Sequence, residues 1–379
     1  MTRATAPADA PVSPASVPAN LPNSPNSSNP PNSLDLPNSA ASSLSKTRSP
    51  WKKRLVATAK FVLFALIVAW IANRLSKDWT EISRYDWRPR PGWLLASGFF
   101  YLVAYVPSAY FWRLSIRWLG GAPDVFSAFK AFYVSQLGKY VPGKALVVVI
   151  RSALVASDKT KASVAAVCVF YETLTMMATG ALLSALIVAV YFREHWLYSA
   201  LALATAVCVG LPLLPPIFVR ILSILRVGKN DPTLQDRFRS LTWRSLFVGV
   251  GLTSVLWLFF GLSLWAAIGS IGVAVGSFWP SAHLLVAASA LAVVFGFAVA
   301  IAPGGLGVRE AARTILLIPF FTALLQAPEN AGFTTSAETL ATIVALVQRL
   351  VSIVAEVAAV VAFYAVDLTR RAVVRLRAR

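Results

Sequence analysis

The sequence predicts an all-α fold: a polytopic integral membrane protein with about eight transmembrane helices and a re-entrant helical hairpin. Three observations carry this. Hydrophobic residues are 57% of the chain and charged residues 13%, against about 45–50% and 25% in a soluble domain. The apolar residues gather in runs of about 20, the length that crosses ~30 Å of hydrocarbon. Lys plus Arg number 35 against 16 acids, and they concentrate in alternate connections between those runs. Two Cys and two His exclude a disulfide framework and argue against a Cys/His zinc site. No metal and no cofactor are expected.

Residues 1–45 are built from Pro, Ser, Asn and Ala. They lack the side chains to form a core and are expected to be a disordered cytoplasmic tail. They are not a signal peptide, because no apolar region follows the start for fifty residues. After the basic cluster Lys46–Arg54, apolar runs fall near 55–73, 93–112, 163–191, 196–219, 246–270, 282–302 and 338–366, with a marginal one at 308–326. Eight crossings place both ends on one side. With both ends cytoplasmic, the inner segments hold 26 Lys and Arg and the outer ones six. This is positive-inside asymmetry, as in a cytoplasmic (inner) membrane. Residues 46–370 form the membrane domain and 371–379 a basic tail. The positive charge serves orientation and anionic lipid; with no soluble basic domain, nucleic acid is not a partner.

Two segments do not behave as spans. Within 113–161, short apolar stretches at 126–137 and 144–156 flank Gly138-Lys139-Tyr140-Val141-Pro142-Gly143-Lys144. Each is too short to cross, and Pro142 and Gly143 break the backbone between them. One reading is a re-entrant hairpin near 126–156 lining a cavity, with Lys130, Lys139, Lys144 and Arg151 facing a polar interior. The other is an amphipathic hairpin on the membrane surface. The second segment is Pro303-Gly304-Gly305-Leu306-Gly307-Val308-Arg309-Glu310. A helix start near Val308 would present free N–H groups and a positive dipole end to an anion, with Arg309 adding charge. The alternative is a tight interhelix turn with Glu310 favourably in the first turn. No Gly-Lys-Ser/Thr follows, so this is not a nucleotide loop.

Ionisable residues inside spans each need a partner or a cavity. Glu172 lies mid-run. Arg349 and Glu356 are two helical turns apart on one face, with Gln348 and Ser352 beside it. Either Glu172, Gln348, Arg349 and Glu356 line a polar pathway with Arg151 and Arg309, or the charges form ion pairs that fix packing. No Ser/His/Asp or Cys/His set suits acyl transfer. The outer acids Asp78, Glu81 and Asp86 sit in a loop short for catalysis.

Three motifs, Gly138–Lys144 followed by Arg151, Pro303–Glu310, and Gln348-Arg349-Leu350, together resemble the lysylphosphatidylglycerol synthase transmembrane-region family. The resemblance covers roughly 55–370. It implies a lipid flippase module, which in multidomain members accompanies a soluble aminoacyl-transferase domain. With the last span close to Arg379, a stand-alone module is expected. The family often has Glu-Arg in the third span; here Thr173 follows Glu172. Then Arg349 or Arg151 substitutes, or the substrate differs. Stand-alone relatives are also linked to polyprenyl-linked sugars.

The expected function is therefore translocation of an anionic phospholipid or lipid-linked-sugar headgroup. Lys139, Tyr140, Pro142, Gly143, Lys144, Arg151, Gly304, Gly305, Gly307, Arg309 and Glu310 are the headgroup-binding candidates. The alternatives are a membrane glycosyl or headgroup transferase using Glu81 or Asp86, and a non-catalytic partner of a separate transferase. The expected partner is membrane lipid, with a separate transferase or a second copy of the chain left open.

Overall fold

A computed structural model describes residues 89–140, 145–191, 196–224, 236–298, 305, 307–330 and 332–377. The expected tail 1–45, the run 55–73 and most of the first outer loop lie outside the described residues. So do Pro142, Gly143, Lys144 and Gly304.

The described residues form helices and no strands. Helix α1, Pro91–Trp118, opens on Pro91, whose missing N–H falls where a helix has no use for one. The hairpin follows. Helix α2, Val125–Gln136, is capped by the Asp124 carboxylate, which accepts from Ser127 N at 3.1 Å. A 3-10 turn, Leu137–Tyr140, ends it, and α3, Ala145–Val155, returns. Helix α4 is Ala162–Tyr191 and α5 is Trp196–Gly210. A turn at Leu211–Leu213 leads into α6, Pro215–Ile224. Helices α7 (Trp243–Ser270), α8 (Phe278–Ala298), α9 (Val308–Leu325) and α10 (Ala337–Arg377) complete the order.

Among the described residues, five helices are long and apolar enough to cross a membrane: α1, α4, α7, α8 and α10. The run expected at 196–219 is bent by 73° between 206–213 and 215–224. Pro212, Pro215 and Pro216 remove backbone donors there, which accounts for the break. Counting the bent pair as one span makes six. The marginal run 308–326 is a helix of 18 residues interrupted by Pro319. The last helix continues past the expected end at 366 to Arg377, because no Gly or Pro occurs in it.

Packing follows the logic of helices in lipid, where small residues let backbones approach. A Cβ on Gly249 would sit 2.4 Å from the Phe111 ring, and one on Gly180 would sit 2.6 Å from the Trp257 ring. One apolar core surrounds Trp112, Phe132, Tyr171 and Trp257; a second surrounds Leu264, Ile268, Phe321 and Leu340. Large apolar side chains also face outward, including Leu95 at 75% exposure and Val354 at 66%. An apolar exterior is what a lipid solvent requires. The polar side chains turn inward instead. On α1 the buried residues Ser97, Tyr101, Tyr105, Ser108, Trp112 and Ser115 recur every three or four positions and make one internal stripe. Ser97 Oγ and Ser263 Oγ each donate to the other's carbonyl oxygen at 2.8 Å, and Gln348 Nε2 donates to Ser263 Oγ at 2.9 Å. That clasp joins α1, α7 and α10.

Candidate functional site

The hairpin is not an outlying surface feature. It packs on α1, α4 and α10, and with α8 and α9 these elements enclose a cavity of about 200 Å³. Lys139, Arg151, Glu172, Gly305, Arg309, Glu310, Gln348 and Arg349 all reach its wall. Glu356 and Gly307 bond the wall residues Lys139 and Glu310, and Tyr140 bonds Glu356.

The hairpin's return helix delivers Arg151, buried like its partner Glu172. Arg151 Nη1 donates to Glu172 Oε2 at 2.9 Å, and its Nε donates to Ser135 Oγ at 2.9 Å. The guanidinium lies 4.0 Å from the Phe132 ring centroid and 5.4 Å from that of Trp112. A planar, weakly hydrated cation suits such a place better than an ammonium. Ser108 donates to the other Glu172 oxygen, and Thr173 Oγ1 to Oε2 at 3.3 Å. Thr173, where the resemblance would place an Arg, thus serves Glu172.

At the hairpin's turn, Lys139 pairs with Glu356 of α10. Tyr101 donates to the same carboxylate at 2.5 Å and Tyr140 at 3.0 Å. The Arg349 guanidinium stands 5.2 Å from the Tyr140 ring centroid. Further along, Lys130 pairs with Asp367 at 2.6 Å. The hairpin is therefore fastened to the last helix by two ion pairs. These settle which acid meets which base, something residue spacing left open.

The glycine-rich segment delivers α9. Gly305 and Gly307 have φ of +70° and +81°, values that other residues rarely adopt. The helix starts at Val308 as expected, but its first free N–H is not left to an outside anion. Glu310 Oε2 accepts from Gly307 N at 2.6 Å. Glu310 Oε1 lies 3.6 Å from Arg349 Nε. Arg309 runs through a slot without side chains: a Cβ on Gly296 would meet its Cγ at 2.4 Å, and one on Gly305 its Nε at 2.9 Å. Arg313, one turn on, is also buried at the wall.

Sequence reasoning missed Tyr101, Tyr105, Gln136, Gly296 and Arg313 on or at this wall. The i, i+4 spacings of Tyr101–Tyr105 and Arg309–Arg313 were available signals. Gly296 had none, because its role depends on a side chain thirteen residues away in another helix. Among the described residues, no group of three His, Cys, Asp or Glu side chains is placed to hold a metal ion.

A family model described as lysylphosphatidylglycerol synthase TM region matches residues 57–347. No curated protein and no solved structure matches the chain.

Proposed function

The chain belongs to the lysylphosphatidylglycerol synthase TM region family, and from that premise we propose that it moves a lipid headgroup between the leaflets of the cytoplasmic membrane. The substrate is an anionic phospholipid or a lipid-linked sugar. One observation carries the reading: a cavity among apolar helices, walled by five cations (Lys139, Arg151, Arg309, Arg313, Arg349) and only two acids, Glu172 and Glu310. A charge in hydrocarbon costs ~2.5–3.5 kcal/mol or more, so such a cluster marks a pathway for a polar group. Two breaks in the helical pattern, at the hairpin turn and at the start of α9, meet at this cavity. Broken helices around a central site are how transporters expose backbone and charge to cargo.

The site does this without transferring a group. The cavity wall offers cations, hydroxyls and an amide, which hold a headgroup and screen its charge from the bilayer. The tails stay in the surrounding hydrocarbon. Both termini are cytoplasmic, in keeping with the Lys/Arg asymmetry.

The test is reconstitution of the full chain into liposomes carrying a trace of acyl-labelled phosphatidylglycerol, with a membrane-impermeant bleaching reagent added outside. Translocation makes inner-leaflet label accessible; bleaching no greater than in protein-free vesicles would sink the proposal. Arg309→Gln abolishes the effect and Asp86→Asn does not. The reverse pattern would favour the transferase reading.

A further inference from the structure

The charges around the cavity do not balance. Lys139 is matched by Glu356 just behind the wall, and Arg151 by Glu172. Glu310 is the third and last carboxylate, 3.6 Å from Arg349. Among the described residues, five cations against three carboxylates leave a formal surplus of two. Glu310 acts on Arg313 as well as on Arg349, so the surplus falls on the arginines of α9 and α10 together, and it is at Arg309 and Arg313 that donors stand open to the cavity. Their Nε atoms are buried and have no hydrogen-bond partner among the described residues, and Arg313 is only 8% exposed. The two residues lie four apart on α9, so they share a face where like charges repel. Glycine at 296 and 305 leaves the groove that holds the Arg309 stem in place. A buried donor without an acceptor and a cation without a counter-charge are both unfavourable, and an anion resolves both together.

A second observation bears on where that anion comes from. Phe170 of α4 and Phe297 of α8 line the cavity and remain 55% and 37% exposed, so the wall they form is not sealed by neighbouring side chains. Helices α4 and α8 pack side by side. The cavity is thus least closed at this seam between two helices long and apolar enough to cross a membrane. Met176, Met177 and Val293 make the adjoining wall apolar.

We infer that Arg309 and Arg313 form the phosphate-binding site of the cavity, and that it takes the phosphate of a negatively charged lipid whose tails pass out between α4 and α8. The inference deepens the translocation reading, resting on the same cavity. It assigns Lys139 and Arg151 a different part from the one their sequence suggests: they are neutralised by their own carboxylates and hold the hairpin, while α9 holds the ligand. Guanidinium groups suit this, because each presents a fork of donors matching phosphate oxygens. A zwitterionic headgroup leaves the surplus charge standing and is bound less well.

The experiment is thermal unfolding of the full-length protein in detergent, titrated separately with dioleoylphosphatidylglycerol, dioleoylphosphatidylcholine and inorganic phosphate. Wild type is stabilised by phosphatidylglycerol far more than by the other two. Arg309→Gln and Arg313→Gln each raise the half-maximal phosphatidylglycerol concentration by about tenfold or more, the worth of one charge-assisted hydrogen bond. Arg313→Lys, which keeps the charge but loses the fork, retains part of the response, more than Arg313→Gln does. Without added lipid, Arg313→Gln unfolds no earlier than wild type, because one cation of the surplus has been removed and Glu310 keeps Arg349.

Earlier unfolding of Arg313→Gln with an unchanged lipid response overturns the inference, since it marks a structural residue. Equal stabilisation by phosphatidylcholine overturns it as well. Equal stabilisation by inorganic phosphate overturns the lipid assignment. The bleaching assay on the same preparations separates the two proposals. Arginine-dependent binding without transport overturns translocation and leaves the site standing; full transport in the Arg309→Gln/Arg313→Gln double variant overturns the site and leaves translocation standing.

Discussion

Replacing Glu172 by Gln keeps the side chain's shape and removes its charge. The buried Arg151 guanidinium, 2% exposed, then has no counter-ion. Its contacts with Phe132, Trp112 and Ser135 survive, because none involves Glu172. What is lost is the ionic part of a 2.9 Å pair whose side chains are 3% and 2% exposed, together with the charge-assisted part of the Ser108 bond. Breaking a buried pair from one side costs about 3–5 kcal/mol. The surviving neutral acceptor puts this case near 3 kcal/mol, a factor of roughly 10² in the unfolding equilibrium. At about 2–4 °C per kcal/mol for a chain of this order of size, thermal unfolding in detergent falls by roughly 6–12 °C. The decisive comparison is the double variant Glu172→Gln/Arg151→Gln, in which no charge is stranded. It is expected to be more stable than Glu172→Gln alone, with a coupling energy of about 2 kcal/mol. Strictly additive effects, or a Glu172→Gln variant as stable as wild type, would refute the claim that these two charges neutralise each other in the interior.

Other expectations follow from the same geometry. Gly296→Ala forces a Cβ to within 2.4 Å of Arg309 Cγ; overpacking of this kind costs about 1–3 kcal/mol, and the displaced arginine also weakens phosphatidylglycerol binding, so both unfolding temperature and lipid titration should move. Asn330 is 1% exposed and its amide bonds Ala274 N, Ala274 O and Leu324 O at 3.0–3.1 Å. Asn330→Ala leaves those backbone groups unpaired and is expected to cost about 2 kcal/mol, measured by chemical or thermal unfolding. Asp158 and Ser277 are both exposed, in connections expected on opposite sides. Single cysteines there, in a background lacking Cys168 and Cys208, should react with impermeant maleimide from the cytoplasm and from outside respectively; labelling from the same side would overturn the orientation.

Much of the architecture was legible because it is written in composition and spacing. A span is recognised from its own residues, and α1, α4, α7, α8 and α10 begin within a few residues of the expected positions. The start of α9 at Val308 was legible for the same reason, since glycines and a first-turn Glu are local signals. What the helix start does not show by itself is that one of its donors, Gly307 N, is already taken by the Glu310 carboxylate. Within the run 196–219, hydropathy is blind to the prolines that bend it.

Sequence by itself determined that this chain is an apolar helical bundle, which motifs interrupt it, and which side chains are too polar to face lipid. Those properties belong to individual segments and survive without knowing their neighbours. Tertiary structure alone decided that Arg151 meets Glu172, that Lys139 meets Glu356, and that the Nε atoms of Arg309 and Arg313 have no hydrogen-bond partner among the described residues. Charge pairing depends on distances of a few ångströms between helices far apart in the chain. Which cations are held by carboxylates is decided only once those distances exist.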